Sequence, residues 1–318
     1  MPPKIKGMTK QITLLLSGDD QLSPEIKELA PKALPHERFL LGETFPLAAA
    51  LSKPKQNETL SCIEPVHMHA TRDHLVLLPL QDLQVSNEEI LTLMNEARTV
   101  FMEEGLGDLI QLDHLRWASS HPSISSLYTH SIYQTKGRNI DWWLPKDTNE
   151  IGIAKRWRKI QNEVQMRWHI HPVNEARDAN GLPTINSIWL YGIGKSSDCQ
   201  YPPELINAKQ MISDQPWMEL IARRLGIPFQ YPDSLLWENL SEDTFIWVND
   251  SQKIWSELSF LLNQYDLVIT VIDFPKLVRK RTFKSSDYQQ SSWKFWQDRK
   301  STRLNSSHVS ESRMPSSA

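Results

Sequence analysis

The side chains best suited to directed chemistry crowd into residues 137–194. Gly137-Arg-Asn-Ile-Asp-Trp-Trp-Leu-Pro145 opens the stretch, and His169-Ile-His-Pro-Val-Asn174, Arg177 and Asn186 follow. A guanidinium fork holds a phosphate or carboxylate in two-point geometry. Arg138, Asn139, Asp141, His171, Asn174, Arg177 and Asn186 therefore form a candidate anion cradle. Gly192 and Gly194, after a strand, would let backbone N–H groups approach the same ligand. A second reading competes with this one: the same residues could be helix caps and buried ion pairs, with Asn174 capping a helix that Gly181 ends. Trp142 and Trp143 beside the cluster are candidate anchors for a protein partner.

Two His-x-His pairs occur, His67/His69 and His169/His171. On a strand, alternate residues share a face, so His67 and His69, with Asp73 close behind, are weak candidates for a metal such as manganese or zinc. No third ligand stands at an expected spacing, and the expectation is no metal. Tyr191-Gly-Ile-Gly194 lacks the third glycine of a dinucleotide fingerprint, since position 197 is Ser. There is no phosphate-binding loop of the GxxxxGK[ST] kind and no GxSxG nucleophile elbow. Cys62 and Cys199 lie far apart and outside any CxxC, so neither a zinc nor a redox motif is written here.

The elements that must position these groups can be read from hydrophobic periodicity. Buried strands are expected at Gln11–Ser17, His74–Leu80, Asn186–Tyr191, Thr244–Val248 and Leu267–Asp273, with a mixed strand at Leu109–Ala118. Short helical pieces are expected at Pro24–Ala30 and Phe45–Leu51. Ser86 and Glu89 have capping-box spacing ahead of a helix with Ile90, Leu93, Met94, Ala97 and Phe101 inward. Over Glu150–His169, Ile153, Trp157, Ile160, Val164 and Trp168 fall on one helical face, with Pro172 as the stop. Further helices are expected at Asn174–Ala179, Pro216–Leu225 and Ser251–Asn263, and a sharp turn at Gly192–Gly194. Buried strands alternating with helices imply an α/β fold with a mainly parallel sheet flanked by helices. A single domain over 1–297 is expected, with an inserted subdomain around 120–200.

Composition narrows the function classes. The 318 residues carry 35 Lys+Arg against 38 Asp+Glu, a net charge of −3, which argues against a dedicated nucleic-acid binder. No stretch approaches the roughly 20 apolar residues of a membrane span. With two separated cysteines and no signal-peptide core, a cytoplasmic protein is expected. The last residues, from Asp298, read DRKSTRLNSSHVSESRMPSSA, with no apolar periodicity. That string resembles the in-frame translation of a sequencing-library adapter, so 298–318 is read as a non-native, disordered tail. Setting it aside makes the charge more negative and leaves every histidine at or before position 171.

The stretch HPVNEARDANGLPTINSIWLYGIG resembles the signature of RpfE-type bacterial regulatory proteins, a family often labelled cofactor-independent phosphoglycerate mutase. Pro65-Val-His67, Arg72-Asp-His74, Gly137–Asp141, Trp143-Leu-Pro145 and Gln161–Gln165 add to the likeness, which covers most of 60–195. The resemblance implies an alkaline-phosphatase-like or phosphoglycerate-mutase-like fold. The matching substrate-side positions are Asn174, Arg177, Gly181, Asn186, Gly192 and Gly194. That superfamily uses two metal ions and a Ser or Thr nucleophile. This chain has only Ser17-Gly-Asp-Asp20 after its first strand, and Phe274-Pro-Lys instead of a late histidine cluster. The resemblance thus implies a catalytically degenerate regulatory protein that binds a small phosphorylated or acidic metabolite. Two alternatives stand beside it. One is an active metal-dependent mutase or phosphatase using His67, His69, Asp73 and Asp273. The other is a regulatory interaction protein with no small ligand.

Overall fold

The computed structural model describes residues 5–20, 30–52, 58–232 and 239–285. Most of the helix expected at Pro24–Ala30, and all of 298–318, lie outside the described residues. The strands in chain order are β1 Ile5–Leu15, β2 Leu60–Ala70, β3 Leu75–Pro79, β4 Ile110–Gln111, β5 Trp117–Ser119, β6 Ser187–Gly194, β7 Gln210–Ser213, β8 Phe229–Gln230, β9 Asp243–Trp247, β10 Tyr265–Asp273 and β11 Arg279–Lys284.

Six of them build a mainly parallel sheet in the order β11-β10-β1-β9-β7-β8. Every neighbouring pair in it is parallel except β10 with β11 at the edge. Its inner strands are buried on both faces, as their unbroken apolar sequences imply. One face packs Ile12, Leu14, Ile269 and Val271 under the Ser251–Gln264 helix, which presents Ile254, Leu258, Leu261 and Leu262. The other face sets Leu15, Phe245 and Ile272 against Trp217, Met218 and Ile221 of the Pro216–Leu225 helix and against the small Leu47–Leu51 helix.

A second, antiparallel sheet was not anticipated. β2 is its spine, paired with β3 and β5 along one edge and with β6 along the other. Its strands come from residues 60–194, a longer span than the 120–200 insertion expected from the sequence. β3 and β6 form where the sequence predicts strands but belong to this sheet and not to the parallel one. β2 escaped detection because Leu60–Ala70 mixes Ser61, Glu64, Pro65, His67 and His69 into its apolar residues. Ser61, Glu64 and Pro65 are buried with the apolar residues, Glu64 and His67 bond inside the protein, and only the strand's end with His69 is exposed, so the alternation that marks a half-exposed strand is missing.

One face of the antiparallel sheet is covered by the Asn87–Glu103 and Ile153–His169 helices. The capping box forms as spaced: Ser86 Oγ accepts from the Glu89 N–H at 3.2 Å, and Glu89 accepts from the Ser86 N–H at 2.7 Å. The stripe Ile153, Trp157, Ile160, Val164 and Trp168 is buried as expected. The helix stops at His169, ahead of Pro172 as expected, and Pro172 also opens the next helix, Pro172–Ala179, whose N-cap is His171 and not Asn174. The other face of the antiparallel sheet, with Cys62, Val66, Trp189 and Tyr191, joins the same core as Leu15 and Phe245 of the parallel sheet. The two sheets therefore share one apolar core.

Gly192 and Gly194 lie within β6 and not in a turn beyond it. Between Leu60↔Gly194 and Cys62↔Tyr191, β6 holds one more residue than β2, which is a β-bulge. Gly192 adopts φ +61°, and a Cβ at Gly194 would stand 2.5 Å from Pro46 Cβ. These glycines let the sheet bend against the 46–51 segment, so close backbone approach is to the protein itself.

Candidate functional site

The first half of the expected cradle is a structural clamp. Asn174 is buried and donates from Nδ2 to Trp168 O and Ile185 O, both at 2.8 Å, and accepts the Ile185 N–H at 2.8 Å. Asn186 accepts the Met68 N–H at 2.7 Å and donates to Met68 O at 3.0 Å, extending the sheet with its amide. Arg177 is 2% exposed. It donates to Pro183 O at 2.7 Å, to Gln84 O at 2.9 Å and to Glu89 Oε1 at 2.9 Å, while its Nη2 has no protein partner. Burial pushes the Glu89 carboxyl up, but the Ser86 amide and Arg177 outweigh it and hold it below its usual range. His171 Nδ1 accepts the Val173 N–H at 3.1 Å as a cap.

The second half sits elsewhere. Asn139 caps the 3-10 turn Ile140–Trp142, accepting the Asp141 N–H at 3.0 Å, and Asp141 is exposed. Asn139 bridges Val76 of β3, β3 pairs with β2, and Asn186 lies on the far edge of β2. Three strand spacings separate the two halves, about 14 Å. The structure does not gather Arg138, Asn139, Asp141, His171, Asn174, Arg177, Asn186, Gly192 and Gly194 around one ligand.

The histidine pair is nearer than the rest but incomplete. The rings of His67 and His69 are 5.8 Å apart. His67 Nδ1 is held by Thr184 O at 2.6 Å, and burial lowers its pKa, the more so with His69 and Arg177 nearby. Asp73 is exposed in the β2–β3 turn. Asp273, at the end of β10, has both oxygens committed: Oδ1 to Arg279 at 2.9 Å, and Oδ2 to Arg279 at 2.6 Å and Arg281 at 2.8 Å. Among the described residues no three His, Cys, Asp or Glu side chains gather as a metal site requires. This donor set does not fit a two-metal phosphotransfer centre, because Asp273 is already neutralised by arginine and Asp73 stands exposed in a turn.

Charged side chains converge where β1 ends, at the C-terminal edge of the parallel sheet. Open α/β sheets bind ligands outside that edge. β1 runs into Ser17-Gly-Asp-Asp20. A Cβ on Gly18 would stand 2.8 Å from Phe274 Cβ, so only glycine lets this loop pass beneath the residue after β10. His36 Nδ1 accepts the Gly18 N–H at 3.0 Å. The His36 ring lies 5.3 Å from that of Trp247, whose Nε1 donates to Ser17 Oγ at 3.2 Å. Burial drives the His36 pKa down to about 4, and Arg38 adds to the shift against the Gly18 contact and Asp20.

Two arginines from different segments meet the two aspartates. Arg38 Nη1 donates to Asp20 Oδ2 at 2.9 Å, and Gln134 Nε2 reaches the same oxygen at 3.2 Å. Arg138 Nη2 donates to Asp19 Oδ1 at 2.8 Å and lies 3.5 Å from Asp20 O, with its guanidinium 5.2 Å from the Trp143 ring centroid. The Asp19 side chain is 74% exposed while that of Arg138 is 28% exposed. Behind them Glu37 is buried and accepts Ser131 Oγ–H at 2.6 Å and the Leu34 N–H at 2.8 Å. Burial raises its pKa to about 7 against those hydrogen bonds and the charges of Arg116 and Arg38. Gln134 is fully buried, and its Oε1 has no partner.

Deeper between the sheets, Glu64 accepts from Tyr191 Oη at 2.6 Å and Gln81 Nε2 at 3.1 Å, and pairs with Arg116 at 3.1 Å. Burial raises its pKa against all three partners. Of the two candidate anchors, Trp142 is 56% exposed, whereas Trp143 is buried against His130 and Arg138.

Of this cluster, the sequence marks Arg138 as an anion ligand, Asp19 and Asp20 only as the remnant of a metal motif, and Trp143 only as a candidate anchor for a partner. Glu37 and Arg38 lie in the Pro35–Leu41 helix, which was not expected from the sequence, and Gln134 belongs to no pattern. The usable signal was the pair of carboxylates directly after a buried parallel strand.

No family model and no curated protein matches the chain. Among solved structures it is similar to a cofactor-independent phosphoglycerate mutase from Thermoplasma acidophilum DSM 1728, with 14% identity and a TM-score of 0.34 over 89% of this chain and 92% of that one. It is also similar to the PH0037 protein from Pyrococcus horikoshii, with 13% identity and a TM-score of 0.39 over 84% of this chain and 82% of that one. Likenesses this low bear on neither activity nor site residues. No helix among the described residues is long and apolar enough to cross a membrane.

Proposed function

We propose that the chain is a phosphoglycerate-mutase-like regulatory protein without catalysis, which binds a small phosphorylated or acidic metabolite at the Asp19–Asp20 end of β1. One observation carries this reading: Arg38 and Arg138 meet at two adjacent carboxylates on the ligand-binding edge of a parallel sheet. The Arg138–Asp19 pair is open to solvent on its acidic side, so it exchanges at low cost. An entering phosphate or carboxylate takes the place of Asp19 on Arg138, while Arg38 stays paired with Asp20 and Glu43. Of the residues first expected to hold the anion, this site retains Arg138. Asn174, Arg177 and Asn186 hold the 168–186 segment and β2 in place.

The test is thermal shift and calorimetry with three-carbon phosphates, 3-phosphoglycerate first. Stabilisation of the wild type that is lost in Arg138→Ala is expected. No stabilisation by any of them, or the same response in the variant, overturns the reading. Turnover of 3-phosphoglycerate that EDTA abolishes would instead favour a metal-dependent mutase. A second reading rests on exposed Trp142: an interaction protein would lose its partner on Trp142→Ala and keep it on Arg138→Ala.

A further inference from the structure

The hairpin at the edge of the parallel sheet is basic in a chain that is not. β10 turns through Phe274-Pro-Lys-Leu-Val278 into the edge strand β11, with Asp273 opposite Arg279 as the last rung. Residues 274–284 hold five cations, Lys276, Arg279, Lys280, Arg281 and Lys284, and no carboxylate, while the whole chain carries a net charge of −3. Among the described residues, Asp273 pairs with Arg279 and Arg281, and Glu204 pairs with Lys280. Lys276, in the turn itself, is exposed and stands in none of those pairs.

Cations along an edge strand have an ordinary use: they keep one sheet edge from pairing with another. That use explains β11 but not the turn before it. Pro275 to Lys280 are all exposed, so the turn projects. Leu277 is 82% exposed and Val278 is 50% exposed. A turn that only had to be soluble would carry polar residues there. Phe274 is buried against Gly18 and Phe39, which fixes the root of the turn while its two aliphatic side chains stand in water. An apolar pair flanked by Lys276 on one side and by Arg279 and Lys280 on the other has the layout of an interfacial anchor. In such an anchor the apolar side chains enter the headgroup–acyl boundary and the cations meet lipid phosphates. Lysine stems lie along the apolar side chains and keep the ammonium at headgroup level.

We propose that the 274–280 turn docks on an anionic lipid surface, with Leu277 and Val278 inserted and Lys276, Arg279 and Lys280 on the headgroup phosphates. A nucleic acid would be served by the same charge, but it stacks on aromatic rings and has no use for two aliphatic side chains. An acidic peptide calls for a groove or a free sheet edge, and a projecting turn offers neither. The contact is peripheral and reversible, because one small anchor holds a protein to a bilayer only marginally. This surface goes beyond the metabolite reading at the Asp19–Asp20 end of β1 and does not rest on it.

The experiment is co-sedimentation of the full chain with vesicles of mixed phosphatidylserine and phosphatidylcholine, and with vesicles of phosphatidylcholine alone, at low and high salt. Binding to the mixed vesicles at low salt is expected, and it should be lost at high salt or without phosphatidylserine. Leu277→Ser should weaken the partition about tenfold and Lys276→Gln about fivefold. Both side chains are exposed, so the urea midpoints of both variants should match the wild type. Arg138→Ala should bind vesicles as the wild type does, which separates a failure here from a failure at the metabolite site. No binding to the mixed vesicles, equal binding to phosphatidylcholine alone, or wild-type binding by either turn variant overturns the proposal. A single-stranded oligonucleotide that binds more tightly and displaces the vesicles would make the hairpin a nucleic-acid surface and overturn it as well.

Discussion

Arg177 and Arg138 are both arginines beside acidic partners, in two regions of one molecule, and they do different work. Arg177 is buried and spends its donors on Pro183 O, Gln84 O and Glu89. Arg138 is partly exposed and spends its main hydrogen bond on Asp19, a carboxylate largely in water. A donor given to a buried carbonyl cannot be withdrawn without orphaning that carbonyl. A donor given to a solvated carboxylate can, because water replaces it. The first arrangement fixes architecture and the second leaves a group available to a ligand. Residue type and sequence spacing are the same in kind for both; the partner decides.

The largest effect that could break this comparison is the cost of Arg177→Met. It leaves two carbonyls and the partly buried Glu89 unpaired, and should destabilise the fold by about 3 kcal/mol. Arg138→Ala should cost less than about 1 kcal/mol, as exposed pairs do. Urea unfolding measures both as shifts in midpoint at constant slope. Equal losses would erase the distinction between clamp and site.

How much was legible follows from the same physics. The helices Ile153–His169, Pro216–Leu225 and Ser251–Gln264 were readable because their apolar stripes repeat at helical spacing and face one layer. β1, β9 and β10 were readable because strands buried on both faces are continuously apolar. β7, β8 and β11 were not. β7 and β8 are two to four residues long, and Arg279–Lys284 carries four cations on an exposed edge. The clamp residues were found by type, yet their role was unreadable, since a backbone carbonyl as partner leaves no mark in sequence. Asp20 and Arg38 meet across 18 positions, and Asp20 and Gln134 across 114, so no local pattern joins them.

A second contrast lies inside the site itself, between neighbours His36 and Glu37. Burial is the leading cause in both, and it moves them past each other: His36 down to about 4, Glu37 up to about 7. Their linkages have opposite signs. His36 is folded as the neutral ring, so its contribution is present above about 6.5 and is lost as pH falls towards 4. Glu37 binds its proton more tightly when folded, so its contribution is full below about 4.5 and is lost as pH rises through 7. Glu37→Gln keeps an acceptor for Leu34 N–H and Ser131 Oγ–H but removes the titration. Relative to wild type the variant should gain stability between pH 4.5 and 7, by at most about 3 kcal/mol. Urea midpoints at four pH values would show the two curves diverging; parallel curves would mean that Glu37 is charged when folded.

The smallest effect is the most direct on the site. If Asp19 occupies Arg138 only until a ligand arrives, removing its charge should help the ligand. Asp19→Asn keeps the side-chain volume and a weak acceptor but frees the guanidinium. An exposed pair of this kind is worth about 0.2–1 kcal/mol, so affinity for a three-carbon phosphate should rise by about 1.4-fold to fivefold. The gain should shrink with added salt, because both charges are within reach of screening ions. Calorimetry at two ionic strengths distinguishes the cases. A weaker complex in the variant would mean that Asp19 binds the ligand, for instance through a hydroxyl, and that the carboxylates at the end of β1 belong to the recognition surface and do not merely hold its place.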